Sequence, residues 1–361
     1  MNEIDEEVIQ TLLNSGILVY DLKTNKILVS PIFKFTLWEL SMGFNHVAIR
    51  QKKNVCNSRL DVDTTSEIIK GIYRSVPLIA SNMSTVCNSD FCIKLYNLGA
   101  LGVMHRAGSE NDILEEVEKI SETCDLIAAS IGVGDSQINF GKNLVSAGCN
   151  IIFIDIAHGF SDAVINTGKK MKDLYPHVKV VIGNTTNIGL LEQTADFVDA
   201  IKVGIATGQS CETKNTAGCT EGQFSAILKF KDIARDLKIP IISDGGIREP
   251  ADFVKAMGIV NSVMAGSIFA RCPESAAEIM HLDGNIVKIF AGMASRYVQN
   301  KWKGGLKDGT CPEGGIRYLE LGESVDKLIE RYTGALRSGI TYAGGKDIKS
   351  FQETVSYVRM A

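Results

Sequence analysis

Between the strand-like run Ala200-Ile-Lys-Val203 and the next helical pattern the chain reads Gly204-Ile-Ala-Thr-Gly-Gln-Ser-Cys-Glu-Thr-Lys214. Glycines let a backbone come close to a ligand. A thiol on an exposed loop after a strand is placed to act as a thiolate nucleophile. Cys211, with the Thr213 hydroxyl two residues on, is the candidate; the bland alternative is a glycine-rich turn carrying a half-buried cysteine. Two further loops have the composition of phosphate cradles, Asp244-Gly245-Gly246 and Ala265-Gly266-Ser267. Short turns of this kind aim backbone N–H groups at an anion. The Asp244 carboxylate suits a ribose diol, since it accepts from both hydroxyls. Tight turns with no ligand are the competing reading.

The elements that must hold these groups follow from the hydrophobic period. From residue 76 on, eight apolar runs recur: 76–81, 100–105, 126–132, 151–157, 178–184, 200–205, 240–245 and 262–267. They are near-continuous rather than alternating, as a parallel sheet covered by helices requires. Helical patterns lie between them. Residues 221–238 place Phe224, Ile227, Leu228 and Ile233 on one face, and Glu249-Pro250 opens another helix with Pro in its first turn. The expectation is an α/β fold, a (β/α)8 TIM barrel. An open doubly wound sheet is the runner-up, but no GxGxxG follows the first strand. Catalytic groups of such barrels sit at the C-terminal strand ends. Polar or glycine-rich positions recur there: Asn82, His105-Arg106, Asp155, Asn184, Gly204–Lys214, Asp244–Gly246 and Gly266-Ser267.

Residues 1–60 read as an N-terminal extension with a hairpin of 17–22 and 26–29, and residues 61–361 as the barrel with a flap at about 294–314. Within the flap, the Lys/Gly-rich stretch 300–309 reads as mobile. A helix over 323–337 follows, with Gly339 just past its end.

Composition narrows the function. A formal charge of −4 with no long Lys/Arg run argues against nucleic acid as partner. No apolar stretch reaches the ~18 residues of a membrane span. The acidic opening Met-Asn-Glu-Ile-Asp-Glu-Glu is not a secretory signal. The nine cysteines carry no CxxC pair, and read as reduced thiols of a cytoplasmic protein rather than a disulfide framework or zinc site.

In combination, Gly183-Asn184, Gly204–Lys214, Ile242–Gly246, the Gly266 loop and Gly292-Met293 resemble the IMP dehydrogenase and GMP reductase family, from about residue 54 to the C-terminus. The resemblance implies a homotetrameric (β/α)8 enzyme acting on C2 of a purine nucleoside monophosphate. Cys211 would be the covalent nucleophile, with Thr213 and Glu313 moving the proton. Asp244, Gly245, Gly246, Gly266, Ser267, Gly292, Met293, Ala294 and Gly314 would bind the nucleotide. NADPH would meet Ser58, Arg59, Arg106, Asp155, Ile156 and Ala157, plus Ser338, Gly339, Ile340 and Thr341 of a neighbouring subunit. Backbone carbonyls of Ala206, Gly208 and Cys211 would offer a K+ site.

Three features favour the reductase branch, hence reductive deamination of GMP to IMP with ammonia release. No regulatory insert interrupts the barrel after its second strand. Glu313 stands only twenty residues after Met293, and it is Glu where dehydrogenases usually carry Gln. Arg317-Tyr318 falls after Glu313 and reads as structural. The chain also departs from the family. Glu212 and Lys214 stand in the cysteine loop where Thr and Arg are usual, and Ala206 where Gly is. Ala294, Thr310 and Pro312 replace Ser, Arg and Ser near the purine. A reductase of a modified guanine nucleotide, an IMP dehydrogenase without regulatory modules and a catalytically silent nucleotide binder are the alternatives.

Overall fold

Eight short β-branched and aliphatic runs form the parallel strands of a closed barrel in the computed structural model, which describes residues 18–21, 26–29, 41–302 and 304–360. They are β1 Leu78–Ala80, β2 Leu101–Met104, β3 Ala128–Ile131, β4 Ile151–Asp155, β5 Lys179–Thr185, β6 Ala200–Val203, β7 Ile241–Asp244 and β8 Ser262–Ala265. β8 pairs with β1 and closes the ring. The expected (β/α)8 barrel is the observed fold.

Side chains alternate across each strand. One set, including Ile79, Val103, Phe153, Val181, Ile242 and Met264, fills the lumen; Ile68, Ile69 and Ile72 join it from a hairpin, Ser66–Ile69 with Ile72–Arg74. That hairpin closes the N-terminal end: Lys70 N donates to Asp199 O just before β6, and Ser262 Oγ to Ile68 O. The other set, such as Ile152, Ile182 and Val263, packs outward against helices in the main core. With the bottom sealed, ligand access is left to the C-terminal end.

After β8 the chain adds a three-stranded antiparallel sheet, Ile279–Leu282, Asn285–Ala291 and Ile316–Glu320. The flap runs between its last two strands. Its first part is not loop, because Arg296–Trp302 is helical, with Val298 N donating to Ser295 Oγ at the helix start.

Two boundaries and one buried face differ from expectation. The chain divides into a small unit, 1–41, and a large one, 42–361. Residues 42–60 therefore belong with the barrel, and Val47–Ile49 pairs with Tyr357–Arg359. In the small unit Leu18–Asp21 pairs antiparallel with Lys26–Val29; residues 1–17, 22–25 and 30–40 lie outside the described residues. Helix Gln223–Leu237 buries Phe224, Ile227, Phe230 and Ala234 but exposes Leu228, because a 3.6-residue period carries position 228 off the buried stripe. Gly339 does not end its helix, which spans Val325–Tyr342. A Cβ there would collide with Val254, so this glycine admits close helix packing. Gly344, at φ 81°, provides the left-handed residue that follows the helix. Among the described residues no helix is long and apolar enough to cross a membrane.

Candidate functional site

The C-terminal strand ends open into a cavity of about 410 Å³, within the range of small-ligand sites. Most positions singled out from the sequence lie on its wall. Cys211, Ala206 and Gly208 line it from the loop after β6, Asp244, Gly245 and Gly246 from the loop after β7, and Gly266 and Ser267 from that after β8. Gly292, Met293, Ala294, Glu313 and Gly314 close it from the flap side, and Arg106, Asp155, Ile156 and Ala157 from β2 and β4.

The loop after β6 takes its course from its first residues. Gly204 has φ 147°, and a Cβ there would strike the Asp244 carbonyl, so only glycine lets β6 and β7 end side by side. Ala206 sits at φ 60°, a left-handed conformation that costs a non-glycine residue about 1–2 kcal/mol. Gln223 anchors the loop from below: fully buried, it donates to Val203 O and Ser243 Oγ and accepts from Thr207 Oγ1.

At the far end of this loop a hydrogen-bonded chain joins three side chains. Cys211 Sγ lies 3.3 Å from Thr213 Oγ1, which donates to Glu313 Oε2 at 2.8 Å. Main-chain bonds strap the two segments together: Glu212 N donates to Glu313 O, and Gly315 N to Ser210 O. Arg317, on the strand after the flap, pairs with Glu212, which gives the expected structural role a definite partner. Hydrogen bonds from Asn215 and then Arg317 hold the Glu212 carboxyl below its ordinary range. Thr213 is itself buried behind Cys211, positioned as a relay between thiol and carboxyl.

Lys202 is the residue that sequence reading passed over. It points into the lumen at the top of β6, 3% exposed, and donates to Asp155 Oδ1 at 2.6 Å and Asp244 Oδ2 at 2.7 Å. Burial pulls an ammonium toward neutrality, but here the two carboxylates outweigh it and Lys202 stays protonated well above its ordinary value. Burial also works against the Asp155 carboxylate, and the charge of Lys202 overcomes it, so Asp155 is held below the usual range. Asn82 donates to Asp155, and Asn184 to both Gly204 O and Asp244 Oδ2. The net is a rigid polar floor joining β1, β4, β5, β6 and β7. The available signal was a lone lysine inside the apolar run 200–203. His105, at the end of β2, is kept neutral by burial, its pKa lowered to about 4.

Several expected residues are not gathered at this cavity. Ser58 caps the short helix Arg59–Asp61, and the Arg59 guanidinium lies 6.0 Å from the Tyr342 ring. Ile340 and Thr341 are buried, and the Ser338 hydroxyl donates to Gly334 O. This cluster lies away from the cavity of its own chain. Of the three departures near the expected purine edge, Ala294 lines the cavity, while Thr310 is exposed and donates to Lys307 O. Gly208 O already accepts from Cys211 N, so one of the three carbonyls expected to meet K+ serves an internal turn. All nine cysteines are free thiols.

A family model described as IMP dehydrogenase / GMP reductase domain matches residues 41–361. The GMP reductase of Onchocerca volvulus is 29% identical over 333 residues, covering 89% of this chain and 92% of that protein. Human GMP reductase 2 is 29% identical over 330 residues, covering 89% and 95%. A crystal structure of a cysteine-to-alanine variant of GMP reductase from Trypanosoma brucei, in complex with guanosine 5′-monophosphate, superposes with a TM-score of 0.85 at 22% identity, covering 89% of this chain and 95% of that one. At that identity the superposition speaks for the fold.

Proposed function

The chain belongs to the IMP dehydrogenase / GMP reductase family, and we propose that it is a GMP reductase, converting a guanine nucleoside monophosphate to IMP with release of ammonia. The observation that carries this reading is the chain Cys211–Thr213–Glu313, whose two end members stand on the cavity wall. A nucleophile in reach of a hydroxyl, itself bonded to a carboxyl, is what replacing the amino group at a ring carbon needs. The relatives named GMP reductase, similar over most of their length, support it.

The backbone N–H groups of the Gly266-Ser267 loop would receive the 5′-phosphate and Asp244 the ribose, while Gly245 N and Gly246 N, which donate to Met264 O and Thr207 O, hold the neighbouring turn in place. Asp244 Oδ2 is engaged by Lys202 and Asn184, which fixes the carboxylate's orientation. In the first step the Cys211 thiolate adds to C2 of the purine. Glu313, through Thr213, protonates the 2-amino group, which leaves as ammonia, and a C2–S thioimidate remains. C2 then takes up a hydride, the C–S bond breaks, and Cys211 departs as thiolate with IMP.

NADPH, when bound, is the source of that hydride. Arg106, Asp155, Ile156 and Ala157 fit its nicotinamide end, since they line the same cavity as Cys211. The guanidinium of Arg106 suits a phosphate of the cofactor. The cluster of Ser58, Arg59 and 338–341, set off from its own chain's cavity, would serve a neighbouring subunit of a homotetramer. None of these steps uses a cation. The free thiols suit a reducing, cytoplasmic setting.

Ala294, on the cavity wall without a hydroxyl, favours one second reading: a guanine nucleotide modified at its purine edge. The test is oxidation of NADPH with stoichiometric ammonia release across a panel of purine monophosphates. GMP should be reduced, or a modified guanine nucleotide should surpass it. NAD+ reduction with IMP and no reductive activity on any guanine nucleotide would sink the proposal and favour a dehydrogenase.

A further inference from the structure

Beside the nucleotide cavity lies a second one, of about 340 Å³. The two share Gln209, Arg248 and Ser267, so the second begins where the first presents its phosphate loops. Arg248, Arg271 and Arg331 line it, with Glu323 as the one carboxylate. Arg331 is spoken for, donating through Nε to Glu323 Oε1 at 2.8 Å. The guanidinium groups of Arg248 and Arg271 have no partner among the described residues. Tyr332, a fully buried residue of the same wall, has a hydroxyl with no hydrogen-bond partner among the described residues.

We propose that this second cavity binds a phosphoryl group lying beyond the 5′-phosphate of the nucleotide. A guanidinium stays charged at any working pH, and its planar fork matches phosphate oxygens. After the Arg331–Glu323 pair cancels, two positive charges remain unneutralised, Arg271 half-buried and Arg248 exposed. A nucleoside monophosphate already has the N–H groups of residues 266–267 for its single phosphate, those of Gly245 and Gly246 being donated to Met264 O and Thr207 O. It leaves Arg248, Arg271 and the Tyr332 hydroxyl without a role. A group attached to that phosphate, or an anion seated next to it, gives both free guanidinium groups a partner, beside the unpaired Tyr332 hydroxyl of the same wall. The inference rests on the first cavity being the nucleotide site. Two sources carry the same chemistry: the second phosphate of a nucleoside diphosphate, and free inorganic phosphate bound beside a monophosphate.

Calorimetric titration at low ionic strength separates them. GMP, GDP, and inorganic phosphate added to GMP-saturated protein are titrated into the wild type and into Arg271→Ala. If the diphosphate is the source, GDP binds about tenfold or more tighter than GMP, as expected for added charge-assisted hydrogen bonds. The GDP/GMP ratio then falls toward one in Arg271→Ala. If free phosphate is the source, it binds the GMP-saturated wild type, and several-fold more weakly the variant. Arg271→Gln, which keeps most of the side chain, repeats the comparison should the alanine variant fail to fold. Equal affinity for GDP and GMP, together with no phosphate uptake by the GMP-saturated protein, overturns the proposal. Failure of both nucleotides to bind would instead break the nucleotide reading. Phosphate binding to the ligand-free protein, weakened by the Arg271 substitution or absent, would still decide the second cavity.

Discussion

Replacing Lys202 by Met removes one positive charge from a site where it faces two carboxylates. Both Asp155 and Asp244 lie within 2.7 Å of its nitrogen, and the lysine is 3% exposed. Removing one member of a buried ion pair costs about 3–5 kcal/mol, because a charge is left unpaired. Here two like charges are left facing one another, so the upper part of that range is expected. Against a total stability of roughly 5–15 kcal/mol, the loss is a large fraction. Its pH dependence identifies the cause. In the wild type the Asp155 carboxyl titrates below its ordinary 3.8 and Lys202 above its ordinary 10.5. Their contribution is therefore full between these values. It is lost as pH falls from 3.8 through the depressed pKa of Asp155, and as pH rises from 10.5 through the elevated pKa of Lys202. In Lys202→Met the carboxylates repel, one of them binds a proton more readily folded than unfolded, and the penalty shrinks as pH falls toward 5. Urea denaturation at pH 5 and pH 8 measures both. Adding Asp155→Asn to the variant should recover much of the pH 8 loss, since one charge of the repelling pair is gone. A single variant within about 1 kcal/mol of wild type at pH 8, with an unchanged pH profile, would refute the charge-clamp argument.

Cys211→Ala should abolish NADPH oxidation while GMP binding, followed by calorimetry, persists, because the phosphate loops lie on other strands. Glu313→Gln keeps the carboxyl's shape without its proton, so ammonia release should slow by about 10²–10⁴, the range for a general acid. Hydride exchange between cofactor and IMP should suffer less, and equal loss in both would assign Glu313 to binding. Ala206→Gly relieves a left-handed strain of about 1–2 kcal/mol against a flexibility cost of about 0.5–1 kcal/mol. A melting temperature at or slightly above wild type is expected, and a clear fall would contradict the strain reading. Ala294→Ser returns a hydroxyl to the cavity wall and should improve kcat/KM on GMP several-fold if the purine edge lacks a partner; no change would assign purine recognition to other residues.

The barrel was readable because its strands are fully buried, and full burial writes long apolar runs into the chain. The loops were readable for a related reason. Gly204, Gly245 and Gly246 all have positive φ, and backbone of that kind restricts the residue types that can stand there. Lys202 was hidden because its neighbours are so regular. Within 200–203 the outward positions and the lower lumen position are apolar, and one inward lysine looks like noise until the tops of β4 and β7 are seen to bring Asp155 and Asp244 to it. That juxtaposition is a property of closure, which no local pattern encodes. Gly339 misled for the opposite reason. A glycine near a helix end is usually a cap, and its actual use, admitting Val254, depends on a helix far earlier in the chain.

The same distinction bears on how the site works. Cys211 and Glu313 stand 102 positions apart in the sequence, on segments that contribute nothing to each other's local folding. They meet because Glu212 N bonds to Glu313 O and Gly315 N to Ser210 O, a two-point strap between the cysteine loop and the returning arm of the flap. A carboxyl held this way reaches the thiol's neighbourhood only while the strap is made, and the Glu212–Arg317 pair reinforces it from the strand beyond. In the usual family pattern the residue after the cysteine is Thr. In this chain it is Glu212, and its charge is spent on fastening the flap. The departure from the family in the cysteine loop is thus tied to Arg317, and the two act as one device that holds the Glu313 carboxyl near the Cys211 thiol.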